Sequence, residues 1–204
     1  MSQFKALGAV AALALGLSAA PSVRAGEVFG GVYAHDVTFI GSVIGVGAAG
    51  REGGADFMLG LRSNRLGALH AIGSPQAHIM VSANSQDTSH FAAAGLSWPI
   101  PIAGKLYFRP GIGMAYTTGK VNLPPTNVPG LTPAEFQRRL NLYNTRIDFG
   151  SKVLFEPEIA FGLRLSEKVS VEASWVHLSN GRILGHSKKN QGLDDAGVRM
   201  AWAF

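Results

Sequence analysis

The chain has no cysteine among its 204 residues. A disulfide framework is therefore excluded, and stability must come from backbone pairing and side-chain packing. Metal-ligand spacing is also missing from the histidines other than His177, which are His35, His70, His78, His90 and His186. Because clustered carboxylates are lacking too, the sequence predicts no catalytic metal and no cofactor.

Long apolar runs are scarce, and the main one extends from Ala6 to Ala20. This run is too short for a helix that crosses a bilayer, which needs about 20 apolar residues. Lys5 precedes it, and Val23-Arg24-Ala25 offers small residues at the positions that signal peptidases read. We therefore predict a secretory signal peptide at residues 1–25 and one exported domain at residues 26–204.

Positive charge is in only mild excess, with 18 basic against 13 acidic residues and a formal net charge of +5. No basic stripe with interleaved aromatic residues accompanies it, so nucleic acid is not an expected partner.

The sequence contains many segments in which bulky apolar side chains alternate with small or charged ones. Eight segments alternate as strands do, at about residues 28–38, 55–63, 75–85, 90–101, 105–117, 152–165, 168–179 and 193–204. In the last of them Val198, Met200 and Trp202 alternate with small residues and Arg199. One face of each strand is therefore bulky and apolar, while the other is mostly glycine and alanine with single charges.

This pattern predicts an all-β fold, an eight-stranded antiparallel transmembrane β-barrel whose apolar face meets lipid and whose small residues fill a narrow interior. Buried charges need partners. We therefore expect an interior network of opposite charges among Arg62, Arg109, Glu156, Glu158, Arg164, Glu172 and Arg199.

Loop lengths orient the predicted barrel. Ser166-Glu167-Lys168 reads as a tight periplasmic turn, which places the long segments 40–54, 118–151 and 180–192 outside the cell. Thr132-Pro133-Ala134-Glu135 predicts the start of a short helix that runs to about Tyr143 in one of these extracellular loops. The apolar last strand, which ends on Phe204, resembles the signal read by the barrel assembly machinery.

Near the C-terminus the sequence combines a base, a hydroxyl and an acid, namely His177, Ser179 and Asp194. These groups suit nucleophilic acyl transfer, since an imidazole accepts the serine proton and a carboxylate orients the imidazole. All three continue the apolar parity of their strands and should face the outer leaflet of the bilayer. An ionisable pair in that place is most easily explained by a lipid substrate.

At these residues the chain resembles the outer-membrane lipid A 3-O-deacylases of the PagL type. That family pairs a His-x-Ser-Asn motif with an Asn-x-Gly-x-acid motif, matched here by His177, Ser179 and Asn180, then by Asn190, Gly192 and Asp194. The resemblance implies an eight-stranded barrel that hydrolyses the ester-linked acyl chain at the 3-position of lipid A without a metal. The family's usual acid is glutamate, so Asp194 is a departure that shortens the reach to His177 by one methylene.

Several supporting roles follow from this hypothesis. The expected oxyanion donors are the backbone amides of Asn180 and Gly181 with the side chain of Asn190. Arg182, Lys188 and Lys189, and the helix pair Arg138-Arg139, could bind the phosphates of lipid A or simply be solvated. The expected partners are lipopolysaccharide and membrane lipids, and a homodimer is left open.

Two other classes remain open at this point. A non-enzymatic barrel, structural or adhesive, would keep the strands without needing Asn190, Gly192 and Asp194 beside His177 and Ser179. A phospholipase-like barrel would use similar chemistry, but it would usually be larger and carry calcium ligands.

Overall fold

The computed structural model describes residues 25–44, 48–185 and 190–204. Apart from Ala25, the predicted signal peptide lies outside these residues. The described strands are β1 (Ala25–Ala34), β2 (Ala55–Arg65), β3 (Gln76–Asn84), β4 (Phe91–Ser97), β5 (Ile100–Ala103), β6 (Leu106–Thr117), β7 (Val153–Arg164), β8 (Val169–Leu178) and β9 (Leu193–Ala203).

Three short helical segments lie between the strands. They are α1 (Phe39–Ile44), a 3-10 helix (Gly67–Ile72) and α2 (Pro133–Thr145). The helix α2 confirms the prediction from sequence: Thr132 caps it by accepting a hydrogen bond from the Glu135 amide, and Pro133 occupies the first turn. None of these described helices is long and apolar enough to cross a membrane.

The strands form a closed antiparallel barrel. Neighbouring strands pair in sequence order, and β1 pairs with β9 from Glu27 opposite Ala203 to Ala34 opposite Ala196. The predicted eight-stranded barrel is confirmed, with its fourth strand divided into β4 and β5. The division falls at Trp98 and Pro99, because a proline has no N–H to offer to a ladder. Both pieces pair with β6.

The outer surface of the barrel is apolar, as predicted. On β9, Val198, Met200 and Trp202 are 55%, 57% and 53% exposed, whereas the intervening Arg199 and Ala201 are buried. The same alternation on β2 exposes Phe57 and Leu59. A water-soluble protein would bury these side chains, so the alternation indicates a surface that faces hydrocarbon.

A balanced ion network fills the lumen. Glu172 accepts hydrogen bonds from Arg62 Nη2 at 3.0 Å, from Arg109 Nε at 2.9 Å and from Arg199 Nε at 2.5 Å. Two further carboxylates complete the balance: Arg199 also bonds to Glu158 at 2.9 Å, and Glu27 contacts Arg62 and Arg109. Three guanidinium groups thus meet three carboxylates, and the predicted network is confirmed for Arg62, Arg109, Glu158, Glu172 and Arg199. Glu156, also predicted to belong to it, contacts His78 Nε2 at 3.2 Å instead.

Arg164 does not join this network, contrary to the prediction. It has the interior parity of β7 but lies at the last residue of the strand, where its side chain is exposed. Its guanidinium carbon instead sits 5.0 Å from the centroid of the Tyr107 ring. At the mouth of a barrel, parity no longer decides burial, because solvent reaches both faces.

Interior aromatic rings lie across glycines on the neighbouring strand. Tyr107 is paired with Gly162, and Phe29 with Gly60. A Cβ atom on either glycine would lie 2.0 Å from the Tyr107 ring or 2.2 Å from the Phe29 ring. The glycines among the strands therefore make room for rings inside a narrow lumen.

The end of the barrel that carries the long connections, which we call the outer end, is closed by its loops. Ile147 and Phe149 from the loop between β6 and β7 are fully buried and pack with Leu154, Leu178 and Leu193 at the ends of the strands. At the opposite end β7 and β8 are joined by the predicted tight turn, in which the Leu165 amide bonds to the Val169 carbonyl at 2.9 Å.

The lumen network generates a first prediction. Glu172→Gln keeps the shape of the side chain but removes the charge that three arginines share, so it should lower the free energy of unfolding by about 3 kcal/mol. Urea unfolding of the refolded barrel in lipid vesicles measures this change. Glu167→Gln, in the exposed turn after β7, is the control and should change the free energy by less than about 0.5 kcal/mol. Equal effects of the two substitutions would contradict the role given to the network.

Candidate active site

The predicted nucleophile and base lie at the outer end of β8. His177 is the penultimate residue of the strand, and Ser179 continues the ladder by pairing with Phe155 of β7. The Phe155 amide donates to the Ser179 carbonyl at 2.7 Å, and the Ser179 amide returns a bond at 3.2 Å. Because this pairing keeps Ser179 in strand geometry, its side chain lies on the same face as that of His177.

The structure brings His177 and Asp194 together. They are direct partners in the ladder of β8 and β9, and His177 Nδ1 lies 2.5 Å from Asp194 Oδ1. Both side chains are on the face that carries Val198 and Met200, the outer face of the barrel. The acid is fully buried and the imidazole nearly so. Since directly opposed residues have Cβ atoms only about 5 Å apart, an aspartate is long enough to hold the ring.

The other ring nitrogen is left available. Asp194 occupies Nδ1, while Nε2 of His177 makes no hydrogen bond with any residue that the structure describes. Ser179 Oγ and the imidazole are not hydrogen-bonded to one another. Their residues stand two positions apart on one strand face, a separation of about 7 Å between Cα atoms. The imidazole that could accept the Ser179 proton therefore lies on the same face of the barrel as Ser179.

Trp175 is a site residue that sequence reasoning missed. It lies two residues before His177 on the same face, and its ring is stacked on the imidazole with centroids 5.8 Å apart and an interplanar angle of 28°. Trp175 is only 9% exposed, unlike the tryptophan at position 202. An indole face against the imidazole restricts the orientation of the ring. The i, i+2 spacing of Trp175 and His177 was the available signal.

Phe155 is a second residue that the sequence did not reveal. Its ladder partner is Ser179, and its ring lies 3.0 Å from the position where Gly181 would carry a Cβ. Gly181 has φ of +60°, a conformation that suits glycine, so both its backbone and the nearby ring argue against a larger residue there. The contact packs the outer end of β7 against the turn that follows β8.

The predicted oxyanion donors differ in whether they already have a hydrogen-bond partner. The Asn180 amide donates to the Asn190 side-chain oxygen at 2.8 Å, so this N–H is already engaged. In the described part of the chain, the Gly181 N–H and the Asn190 side-chain NH₂ have no hydrogen-bond partner. The side chain of Asn180 is buried and holds the turn together by donating to the Phe149 carbonyl at 2.7 Å and accepting from the Arg182 amide at 2.7 Å.

The loop after β1 is fastened to the start of β9 beside the site. The Val37 amide donates to the Asp194 carbonyl at 2.8 Å, and the Ala49 amide donates to the Gly192 carbonyl at 3.0 Å. Gly192 thus serves as a docking point for this loop, and the backbone of Asp194 is held from both sides.

The basic residues of the outer loops differ in their surroundings. Arg182 is exposed and has φ of +62°, while Lys188 and Lys189 lie outside the described residues. Arg138 and Arg139 both pair with Glu135 at 2.7 Å. Their hydrogen bonds lower the pKa of the Glu135 carboxyl to about 2, so this helix pair is already matched by an acid.

A cavity of about 220 Å³ lies among the outer loops and reaches Asn190. Arg51 lines it, donating to Gln191 at 3.1 Å and lying 4.2 Å from the centroid of the Tyr143 ring. Arg51 therefore places a positive charge, fixed by these two contacts, among the outer loops next to the site.

The sequence and the fold were compared with known proteins. The family model of lipid A 3-O-deacylase (PagL) matches residues 72–203, which is more than half of the chain. The chain belongs to the lipid A 3-O-deacylase family. No curated protein matches it in sequence.

Several solved structures are similar to the chain. The crystal structure of the outer membrane enzyme PagL covers 87% of this chain and 99% of its own, with 16% identity and a TM-score of 0.56. Neisserial surface protein A (6% identity, TM-score 0.49) covers 87% of this chain and 96% of its own. The N-terminal barrel of Pseudomonas aeruginosa OprF (9%, 0.47) covers 88% and 98%. At these identities the likeness to solved structures concerns the fold.

Family membership confirms the predicted location in the outer membrane and the predicted class of protein, a lipid A deacylase. This deacylase is a bacterial outer-membrane β-barrel, and its family acts on lipid A, so lipopolysaccharide is its environment and its partner.

The buried contact between His177 and Asp194 generates a second prediction. Asp194→Asn should lower the rate of lipid A deacylation by about 10³- to 10⁴-fold, because an amide no longer stabilises the imidazolium or selects its tautomer. Asp87→Asn is the matched control. Asp87 also contacts a histidine, His90, at 2.7 Å on the outer side of the barrel, but its side chain is exposed. A loss below tenfold for Asp194→Asn in a folded barrel would contradict the assignment.

Proposed function

We propose that this deacylase hydrolyses the 3-O-linked acyl chain of lipid A with a triad of Ser179, His177 and Asp194. The observation that carries the proposal is the buried His177–Asp194 contact, which lies on the lipid-facing side of the wall next to Ser179. An ionisable pair in that place is costly, and a reaction on a lipid explains why it is there.

In this proposal each group of the triad has its own step. Asp194 holds the Nδ1–H of His177, so Nε2 takes the proton of Ser179 as its Oγ attacks the ester carbonyl. The tetrahedral intermediate collapses when the imidazolium returns this proton to the departing sugar oxygen, which leaves an acyl-serine. A water molecule, deprotonated by the same Nε2, then attacks the acyl-serine; the imidazolium returns the proton to Ser179 Oγ as the C–O bond breaks, which releases the fatty acid and restores the serine.

The oxyanion of each intermediate requires donors close to Ser179. The Gly181 N–H and the Asn190 side-chain NH₂ are the groups that we assign to it, since the Asn180 N–H is taken by Asn190 itself. Asn190 then has two tasks: its oxygen fixes the turn after Ser179, and its nitrogen faces the developing charge. One such donor is worth about 100- to 1000-fold in rate.

The head group of lipid A carries phosphates that suit basic residues at the outer rim. Arg182 is exposed two residues after Asn180, and Lys188 and Lys189 belong to the same loop in sequence. We assign these three side chains to the phosphates as charged donors. Recognition by the assembly machinery through the last strand and homodimer formation stay predictions.

A third prediction concerns the nucleophile. Ser179→Ala should abolish deacylation in isolated outer membranes, while the barrel keeps its heat-modifiable migration on gels. Ser174→Ala is the matched control: it changes a serine of the same strand whose hydroxyl lies 2.9 Å from the Tyr33 hydroxyl inside the lumen, and activity should persist. Deacylation that survives Ser179→Ala would remove the mechanism.

The position of the cleaved ester is tested with the substrate. Mass spectrometry of lipid A from cells with and without the protein should show loss of one hydroxyacyl chain. Purified protein should cleave a synthetic lipid A that carries an ester at the 3-position only, and should leave its 3′-only counterpart intact. Cleavage of the 3′ ester alone would contradict the proposed specificity, and an unchanged profile would favour a non-enzymatic barrel.

A fourth prediction separates the two tasks of Asn190. Asn190→Asp keeps an oxygen that can accept from the Asn180 amide but removes the NH₂ donor and adds a negative charge. Deacylation should fall by at least about 100-fold, with little change in the free energy of unfolding. Steady-state rates and urea unfolding of the same preparation measure both. If Asn190 only fixes the turn, the variant will remain active, and the oxyanion assignment will be wrong.

A further inference from the structure

A second histidine lies among carboxylates inside the barrel, on the other side of the wall from His177. His35 directly follows β1, Asp56 lies near the start of β2, and Asp195 lies near the start of β9. All three side chains are buried at the outer end of the lumen. Glu52, from the loop before β2, is buried beside them. The cluster therefore spans the strands on both sides of the β1–β9 closure.

The cluster has more negative charge than its surroundings neutralise. Within the described ranges, no lysine or arginine nitrogen lies within 4.0 Å of the carboxylates of Glu52, Asp56 and Asp195. Three buried carboxyl groups thus share one imidazole, and a buried carboxylate without a cationic partner is costly.

The ligand atoms converge on one point. His35 Nδ1 lies 3.1 Å from Asp56 Oδ1 and 3.3 Å from Asp195 Oδ1. Neither contact has hydrogen-bond geometry, and Nδ1 and Asp195 Oδ2 are buried without a hydrogen-bond partner in the described structure. Metal–ligand distances of about 2.0–2.1 Å imply edges of about 3.3 Å between the ligands of a tetrahedral ion. The observed separations match such edges.

The surrounding groups are those that orient metal ligands. His35 Nε2 lies 3.2 Å from Glu52 Oε2, an arrangement in which a ligating histidine donates its second N–H to a carboxylate. The other oxygen of Glu52 accepts from the Ile147 amide at 3.1 Å. Asp56 is held by Ser82 at 3.0 Å and by Asn84 at 2.7 Å. The three donors are thus fixed in place by the barrel.

We propose that His35 Nδ1, Asp56 and Asp195 bind one zinc ion in the lumen, with water in the fourth position and Glu52 supporting His35. One imidazole nitrogen with carboxylate oxygens is a donor set that zinc accepts. Binding at Nδ1 releases the proton of that nitrogen to solvent. The two positive charges of the zinc ion then offset the negative charge of the carboxylates. The ion ties β1, β2 and β9 together. This site is separate from the esterase and does not rest on the proposed function.

Zinc binding to the purified full-length mature barrel in zwitterionic detergent tests the proposal. The protein is stripped with a chelator, dialysed and titrated with zinc by calorimetry. The wild-type barrel should bind one zinc ion that His35→Gln does not bind. His78→Gln is the matched control, because His78 is also a buried lumen histidine but contacts one carboxylate, Glu156, at 3.2 Å. Equal zinc binding by wild type and His35→Gln, or none by wild type, would overturn the site.

Further measurements guard against a variant that fails to fold. Asp195→Asn should lose the same zinc ion, and Glu52→Gln should weaken its binding by about 10- to 100-fold. Zinc should raise the unfolding midpoint of wild type and His78→Gln but not of Asp195→Asn. X-ray absorption should show one nitrogen and carboxylate oxygens at about 2.0–2.2 Å. A shell of water oxygens alone would overturn the proposal. Ser179→Ala should keep the ion, so failure of the esterase would be visible separately.

Discussion

The register between β8 and β9 is the constraint on which both faces of the barrel wall depend. One register places Glu172 opposite Arg199 in the lumen and His177 opposite Asp194 on the outside. The two pairs are separated by an odd number of residues on each strand, so they must point to opposite faces. A slip by one residue would move charges toward lipid and separate the imidazole from its acid, and the lumen network therefore fixes the geometry of the lipid-facing site.

Much of this architecture could be predicted because alternation along a strand is local information. The parity of β9 was enough to place Arg199 inside and Trp202 outside. The first strand was less clear, because Phe29 and Tyr33 are large apolar residues that point inward. They fit there because glycines lie opposite them on the neighbouring strands. The sequence of one strand alone does not show which residues of another strand will pair with it. The break at Pro99 and the helix α1 were likewise not predicted, since tertiary context determines them.

The candidate site shows the same division between local and non-local information. Spacing along β8 predicted that His177 and Ser179 share a face, and parity on β9 separated Asp194 from Asp195. Whether the side chain of Asp194 reaches His177 depended on register, which sequence could not supply. In the structure the two residues are directly opposed, so Asp194 Oδ1 lies 2.5 Å from His177 Nδ1. Phe155 was missed for a related reason, since only the ladder brings it to Ser179.

Two adjacent acids on β9 illustrate how a thin wall can separate two chemistries. Asp194 points outward to His177, and Asp195 points inward to His35. The two carboxylates belong to neighbouring residues, yet their partners differ: His177 lies on the outer face of the barrel, and His35 lies in the lumen among other carboxylates. Fixing Asp195 in the lumen also fixes the backbone that presents Asp194, because a strand cannot rotate one side chain outward without the next turning inward. The interior cluster is thus a support for the outer site as well as a site in its own right.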